Sequence, residues 1–230
     1  MTQQNSLVKR GGLAGALAIA GGTAAYGAPV LVNPPPDLTN TIGNAVTTTV
    51  NWDVNNDGII DFTFTNRYPN SSTTGVVWQL NMNPAAGTAA TNGVVSYQGA
   101  FVRYAFALAA NTPINSASAF STGTQITLGS RYSSGGVQQN YGGFAAAIPP
   151  GTMAFAGFRF TAADGVHYGW VQLSVNAGII RFSRAGYETT PGVPILAGTG
   201  AAVPEPSTLA MLAVGAVGVV GAAIKRRRRS

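Results

Sequence analysis

Apolar and polar positions alternate along this chain over short stretches, with clusters of Gly, Pro, Asn and Ser between them. Thr47–Trp52 (TTTVNW) is rich in β-branched residues, and 59–65 (IIDFTFT) sets Ile60, Phe62 and Phe64 on one face, a period of two. The same pattern predicts strands at 76–82, 94–98, 101–108, 125–128, 154–161, 168–175 and 179–183. No segment carries a long, capped apolar period of 3.6. Short strands at close spacing predict one all-β domain over 28–190, a β-sandwich or jelly roll. The stretch 112–143 is rich in Ser, Gly, Asn and Gln, and 132–143 (YSSGGVQQNYGG) is expected to form a long loop. Residues 191–202 are expected to be a Gly/Pro/Ala linker.

The two ends follow a different pattern. Lys9 and Arg10 precede a short apolar stretch, 13–20, and Ala25-Tyr26-Gly27 puts small residues at the −3 and −1 positions. Residues 1–27 therefore read as a signal helix cleaved after Gly27, with cleavage after Ala25 as the near alternative. At the other end, Pro204-Glu205-Pro206 precedes sixteen apolar residues, 209–224, and then Lys225, Arg226, Arg227, Arg228 and Arg229. The run is long enough for a thin span, and the basic cluster should hold its end on the cytoplasmic side.

Composition changes the picture in two ways. Charged residues make up 9% of the chain and there is no Cys, which removes thiol catalysis and zinc–thiolate sites. The net charge of +6 sits in the terminal segments. Between them Arg67, Arg103, Arg131, Arg159, Arg181 and Arg184 balance Asp37, Asp53, Asp57, Asp61, Asp164 and Glu188. The folded part is near neutral, so no nucleic-acid partner is expected.

The tripartite C-terminal layout, residues 203–230, resembles the PEP-CTERM sorting signal of Gram-negative bacteria. The resemblance implies that Pro204, Glu205 and Pro206 form the motif recognised by exosortase. It also implies travel through the Sec translocon and a pause at the membrane on the C-terminal helix. The protein would then be released to the cell surface or beyond, where exopolysaccharide and biofilm matrix are made. A plain membrane anchor is the alternative. Asp164-Gly165 with His167-Tyr168-Gly169-Trp170 resembles a strand motif of PEP-CTERM carriers. On its own it reads as a hairpin turn entering a core strand, because a lone His lacks a paired base or nucleophile.

The sharpest local motif is D-x-N-x-D-G-x-x-D at 53–61. Asp53, Asn55, Asp57 and Asp61, with the Ile59 carbonyl, could converge on one calcium ion, and Gly58 allows the sharp turn. The twelfth position is Phe64 rather than Glu, and strands flank the loop, so it departs from an EF-hand and resembles the calcium loops of exported β-proteins. A metal-free Asx-rich turn is the alternative. Tyr132 and Tyr141 are candidates for stacking on sugars, while Trp78 is assigned to the core. The acids outside the loop are too few to suggest a glycosidase, so no catalytic residue is assigned. Three functions stay open: a structural matrix protein, a calcium-dependent carbohydrate-binding module, and a hydrolase. Clustered exposed aromatics would favour binding, a smooth Thr/Ser/Gly surface a structural role, and three convergent carboxyls in a cleft an enzyme.

Overall fold

The computed structural model describes residues 26–202, apart from 28, 40–46, 69–74, 100–101, 124 and 135. The signal at 1–27, save its last two residues, and the sorting tail at 203–230 lie outside the described residues. No helix among the described residues is long and apolar enough to cross a membrane.

The described chain is all-β. Fifteen strands form within it: β1 (Val30–Val32), β2 (Thr47–Trp52), β3 (Phe62–Arg67), β4 (Val76–Pro84), β5 (Gly93–Gln98), β6 (Arg103–Ala105), β7 (Pro113–Ile114), β8 (Phe120–Ser121), β9 (Ile126–Ser134), β10 (Val137–Tyr141), β11 (Ala154–Ala162), β12 (Gly165–Asn176), β13 (Ile179–Tyr187), β14 (Ile195–Leu196) and β15 (Ala201–Ala202). One hydrogen-bonded path runs β15-β1-β13-β12-β11-β5-β6-β9-β4-β3-β2. β5 pairs with both β11 and β6, so the two halves of the expected sandwich are joined into one curled sheet.

Alternation explains how the sheet closes. In β3, Phe62, Phe64 and Asn66 point inward while Thr63 and Thr65 are half-buried and Arg67 is exposed. Phe64 meets Phe182 of β13 edge-on at 4.8 Å, and Phe62 meets Phe158 of β11 at 5.1 Å. Strands far apart along the sheet therefore face each other across one apolar core. The β12–β13 turn, with Ala177 at φ 47° and Gly178 at φ 80°, has the two left-handed residues that a tight hairpin needs. It also receives Tyr68 Oη–H on the Ala177 carbonyl at 2.7 Å, which pins β3 to the opposite half.

β12 is buried on both faces. Its second face carries Tyr168 and Trp170, which pack with Val95, Ile114, Phe155, Ile195 and Ala197 in a smaller core. This corrects the linker expected at 191–202. Ile195 and Ala197 are buried, Leu196 pairs with Pro113, and Trp170 Nε1–H donates to the Thr199 carbonyl at 3.0 Å. The apolar Ile-Leu-Ala triplet inside a Gly/Pro frame covers the outer face of β12. The long loop expected at 132–143 is a hairpin instead, with β9 and β10 paired from Ser130↔Tyr141 to Ser134↔Val137. Polar Ser, Gln and Asn serve there because the hairpin projects with most of its surface in solvent. The strand expected at 101–108 is shorter, reduced to β6 and an isolated bridge at Leu108.

Candidate functional site

The Asp53–Asp61 segment connects β2 to β3 and is closed by its own side chains. Asp53 accepts the amides of Asp57 (3.2 Å) and Gly58 (2.7 Å). Asp57 accepts the Ile59 amide (2.8 Å) and the Asn55 side-chain amide (2.9 Å). Asn56 and Gly58 take φ values of 60° and 87°, and space around Gly58 is open, so backbone conformation sets the need for glycine. Val54 turns inward and joins the main core.

Asp61 turns away from the other two acids. It is 3% exposed, its Oδ2 accepts the Val54 amide (3.0 Å) and its Oδ1 accepts the Asn92 Nδ2–H (3.1 Å). Asn92, fully buried, also accepts the Thr161 amide of β11 at 2.9 Å, so it ties the loop to the opposite half of the sheet. Burial pushes the Asp61 carboxyl up to about 6, against the Val54 and Asn92 hydrogen bonds, with Asp57 and Asp53 adding to the rise. The expected calcium ligands thus share one loop, but their carboxylates do not converge. Among the described residues, no three acidic or His side chains gather as a metal-binding group. In the arrangement seen, the oxygens are engaged by amide donors. One feature points toward a cation: the Asn55 Oδ1 is enclosed and has no donor among the described residues.

His167 lies inside β12 and not in the turn. Its Nδ1–H donates to the Glu188 carbonyl at 2.8 Å, and its Nε2 meets Asp164 Oδ1 at 2.8 Å. The ring stacks on Phe160 at 5.3 Å. The hydrogen bond to His167 holds the exposed Asp164 carboxyl below the usual range. Both nitrogens are used to lock the β11–β12 hairpin against the end of β13, and Trp170 is fully buried as expected.

A cluster of aromatics occupies the outer surface of β5, β6, β9 and β10. Tyr97 lies 5.6 Å from Tyr104 and 4.8 Å from Phe106. Tyr132 and Tyr141 meet edge-on at 5.5 Å, and with Val137 and Gln139 they line a depression of about 480 Å³. The Tyr104 phenol is raised by burial and further by the phenols of Tyr132, Tyr97 and Tyr141. Tyr97, Phe106 and Tyr141 are each more than a third exposed. The sequence reading found Tyr132 and Tyr141 and missed Tyr97, Tyr104 and Phe106. The i, i+2 spacing of Tyr104 and Phe106 held the signal, but the chain alone does not say which face of β6 is outward. Arg131 borders the hairpin, stacked 5.9 Å from Trp78 and donating to Asn140 Oδ1 at 2.9 Å. Arg103 donates to Ser121 at 2.8 Å. No acidic residue occurs between Asp61 and Asp164, while Arg67, Arg103, Arg131 and Arg159 all do.

Residues 202–229 match the family model described as the PEP-CTERM protein-sorting motif. No curated protein and no solved structure matches the chain.

Proposed function

From a chain that carries the PEP-CTERM sorting motif, a signal recognised by exosortase, and is therefore exported and processed at the membrane, we propose a surface or matrix protein that holds exopolysaccharide. The observation that carries the proposal is the exposed aromatic surface of Tyr97, Tyr104, Phe106, Tyr132 and Tyr141. Aromatic faces stack on the apolar faces of sugar rings, and the Gln139 amide beside Tyr132 and Tyr141 suits hydroxyl groups. Arg131, on the hairpin that carries Tyr132 and Tyr141, favours an acidic polysaccharide over a neutral one. The protein would act by binding, as a structural component of the biofilm matrix, rather than by catalysis.

The test is binding of the signal-processed chain to acidic and neutral exopolysaccharides on a glycan surface. Tyr132→Ala and Tyr141→Ala are each expected to weaken binding roughly tenfold, the order for losing one aromatic anchor. High salt should weaken the acidic ligand further. A folded chain that retains no acidic or neutral glycan would leave a purely structural role.

The enclosed Asn55 Oδ1 favours a weak calcium site in the Asp53–Asp61 loop as a second property. A cation there would displace amide donors from Asp53 and Asp57, and the affinity is expected to be weak, about millimolar as in other extracellular modules. Calcium at about 10 mM is then expected to raise the thermal midpoint by about 3–5 °C, and Asp57→Asn should abolish the rise. A midpoint indifferent to calcium and chelator would leave the loop as a hydrogen-bonded turn.

A further inference from the structure

Asn92 is fully buried, and its side-chain amide is used to exhaustion. Its Nδ2 donates to Asp61 Oδ1 at 3.1 Å and to the Asp61 carbonyl at 3.3 Å. Its Oδ1 accepts the Thr161 amide at 2.9 Å and the Thr91 hydroxyl at 3.3 Å. Two donors and two acceptors are all that an asparagine side chain has. An ionised aspartate in its place would offer no N–H and would set an oxygen against two oxygens of Asp61. The next residue is constrained for a different reason. A Cβ on Gly93 would lie 3.1 Å from Phe120 Cβ and 3.1 Å from the Ser121 carbonyl oxygen. Both neighbours belong to β8, which is paired with β5 at Val94↔Ser121 and Val95↔Phe120.

Hydrogen bonding thus selects Asn and packing selects Gly, in succession, and no other Asn-Gly pair occurs in the chain. The pair is chemically labile. Glycine has no side chain to keep its amide away from the preceding Cγ, and its backbone is the freest of all. The Gly93 nitrogen can bond to Asn92 Cγ while Nδ2 leaves as ammonia, taking the Gly93 proton. One water then opens the cyclic imide at either carbonyl. The product is aspartate, or isoaspartate with one more methylene in the main chain. Water is the only co-reactant and nothing is oxidised or reduced. In the folded chain the approach is blocked. The Asn92 amide is held on both sides, its backbone N–H donates to the Thr88 carbonyl at 2.9 Å, and Gly93 is paired with Arg159 of β11.

We infer that Asn92–Gly93 is a modification site opened only by unfolding, and that its conversion bars the chain from refolding. The folded protein keeps the amide intact. A chain that stays open loses ammonia at Asn92, and the product can no longer donate to Asp61 at the junction of the two halves of the sheet. Isoaspartate also lengthens the main chain at the entry to β5. Unfolding then becomes a one-way step, set by chemistry in the open chain. The inference rests on the contacts of Asn92 and Gly93 and is independent of any glycan or cation.

The test holds the signal-processed chain, kept with its C-terminal segment, in warm, mildly alkaline guanidinium for increasing times and then dilutes it. Size exclusion separates refolded from non-refolded chains. Peptide mass spectrometry, with isoaspartyl methyltransferase labelling, reads residue 92 in each fraction. The refoldable fraction is expected to fall in step with conversion at Asn92. Converted chains should be depleted roughly tenfold or more in the refolded fraction, the order for leaving a buried acceptor without its donor. Native chain kept as long without denaturant should retain Asn92. Equal conversion in the two fractions overturns the inference, as does conversion in the native chain at the denatured rate. Asn92→Asp, purified from denaturant, is expected to join the non-refolding fraction. An Asn92→Asp chain that refolds like the wild type overturns it too.

Discussion

Replacing Gly169 by alanine is expected to cost about 3 kcal/mol, the upper end for an overpacked core. The added Cβ would lie 2.4 Å from Phe158 Cε2 and Cζ and 2.8 Å from the Gly186 carbonyl oxygen. Neither obstacle can yield. Gly186 is backbone of the paired strand β13, and Phe158 is held by Trp52 at 5.3 Å and Phe62 at 5.1 Å. Gly169 pairs directly with Phe158 across β11 and β12, so the glycine is the space that the phenylalanine fills. For a domain of this size the loss corresponds to roughly 6–12 °C in thermal midpoint, readable by calorimetry. A change under about 2 °C would mean that the hairpin relaxes far more readily than its packing implies.

The second large effect is a loss of stability with rising pH. Asp61 has a folded pKa of about 6 against an ordinary value of 3.8, because burial disfavours its charge. A carboxyl raised on folding contributes stability that is complete below about pH 3.8 and is lost as pH climbs through 6. The full amplitude is about 3 kcal/mol, at 1.36 kcal/mol per unit. Urea unfolding in chelator is expected to show the midpoint falling by about 1 M between pH 4 and pH 7.5. Asp61→Asn should flatten that profile, since the group that titrates is gone. Stability that rises over this window instead would place the Asp61 charge among compensating partners and sink the assignment.

Much of the architecture was legible in the chain because one force wrote it. Where one face is buried, a period of two is unavoidable, so Phe62 and Phe64, or the alternation through β11, disclosed their strands directly. The sequence misled where polar composition stood in for structure. Gln138, Gln139 and Asn140 are strand residues on a projecting hairpin, where nothing selects apolar side chains. Ile195 and Ala197 looked like linker because three apolar residues between glycines have no period to read, yet they cover the second face of β12. The Asp53–Asp61 motif was visible as a list of oxygens, but their direction was not. Whether Asp61 turns toward a cation or toward Asn92 depends on a partner 31 residues away, and no local spacing encodes that. The aromatic surface was half visible for the same reason, since Tyr97 and Tyr104 become neighbours only through the β5–β6 pairing.

The place where the folded body ends sets the room available for sorting. β15 is Ala201–Ala202, paired parallel to β1, and the matched sorting motif begins at residue 202. There is no leash. From Ala202 to Pro206 the chain can extend at most about 14 Å, while a body of this size has a radius of gyration near 16 Å. An enzyme that grips Pro204–Pro206 would therefore work within about one domain radius of the β1–β15 seam, and clearance would matter to the rate of release as much as the motif itself.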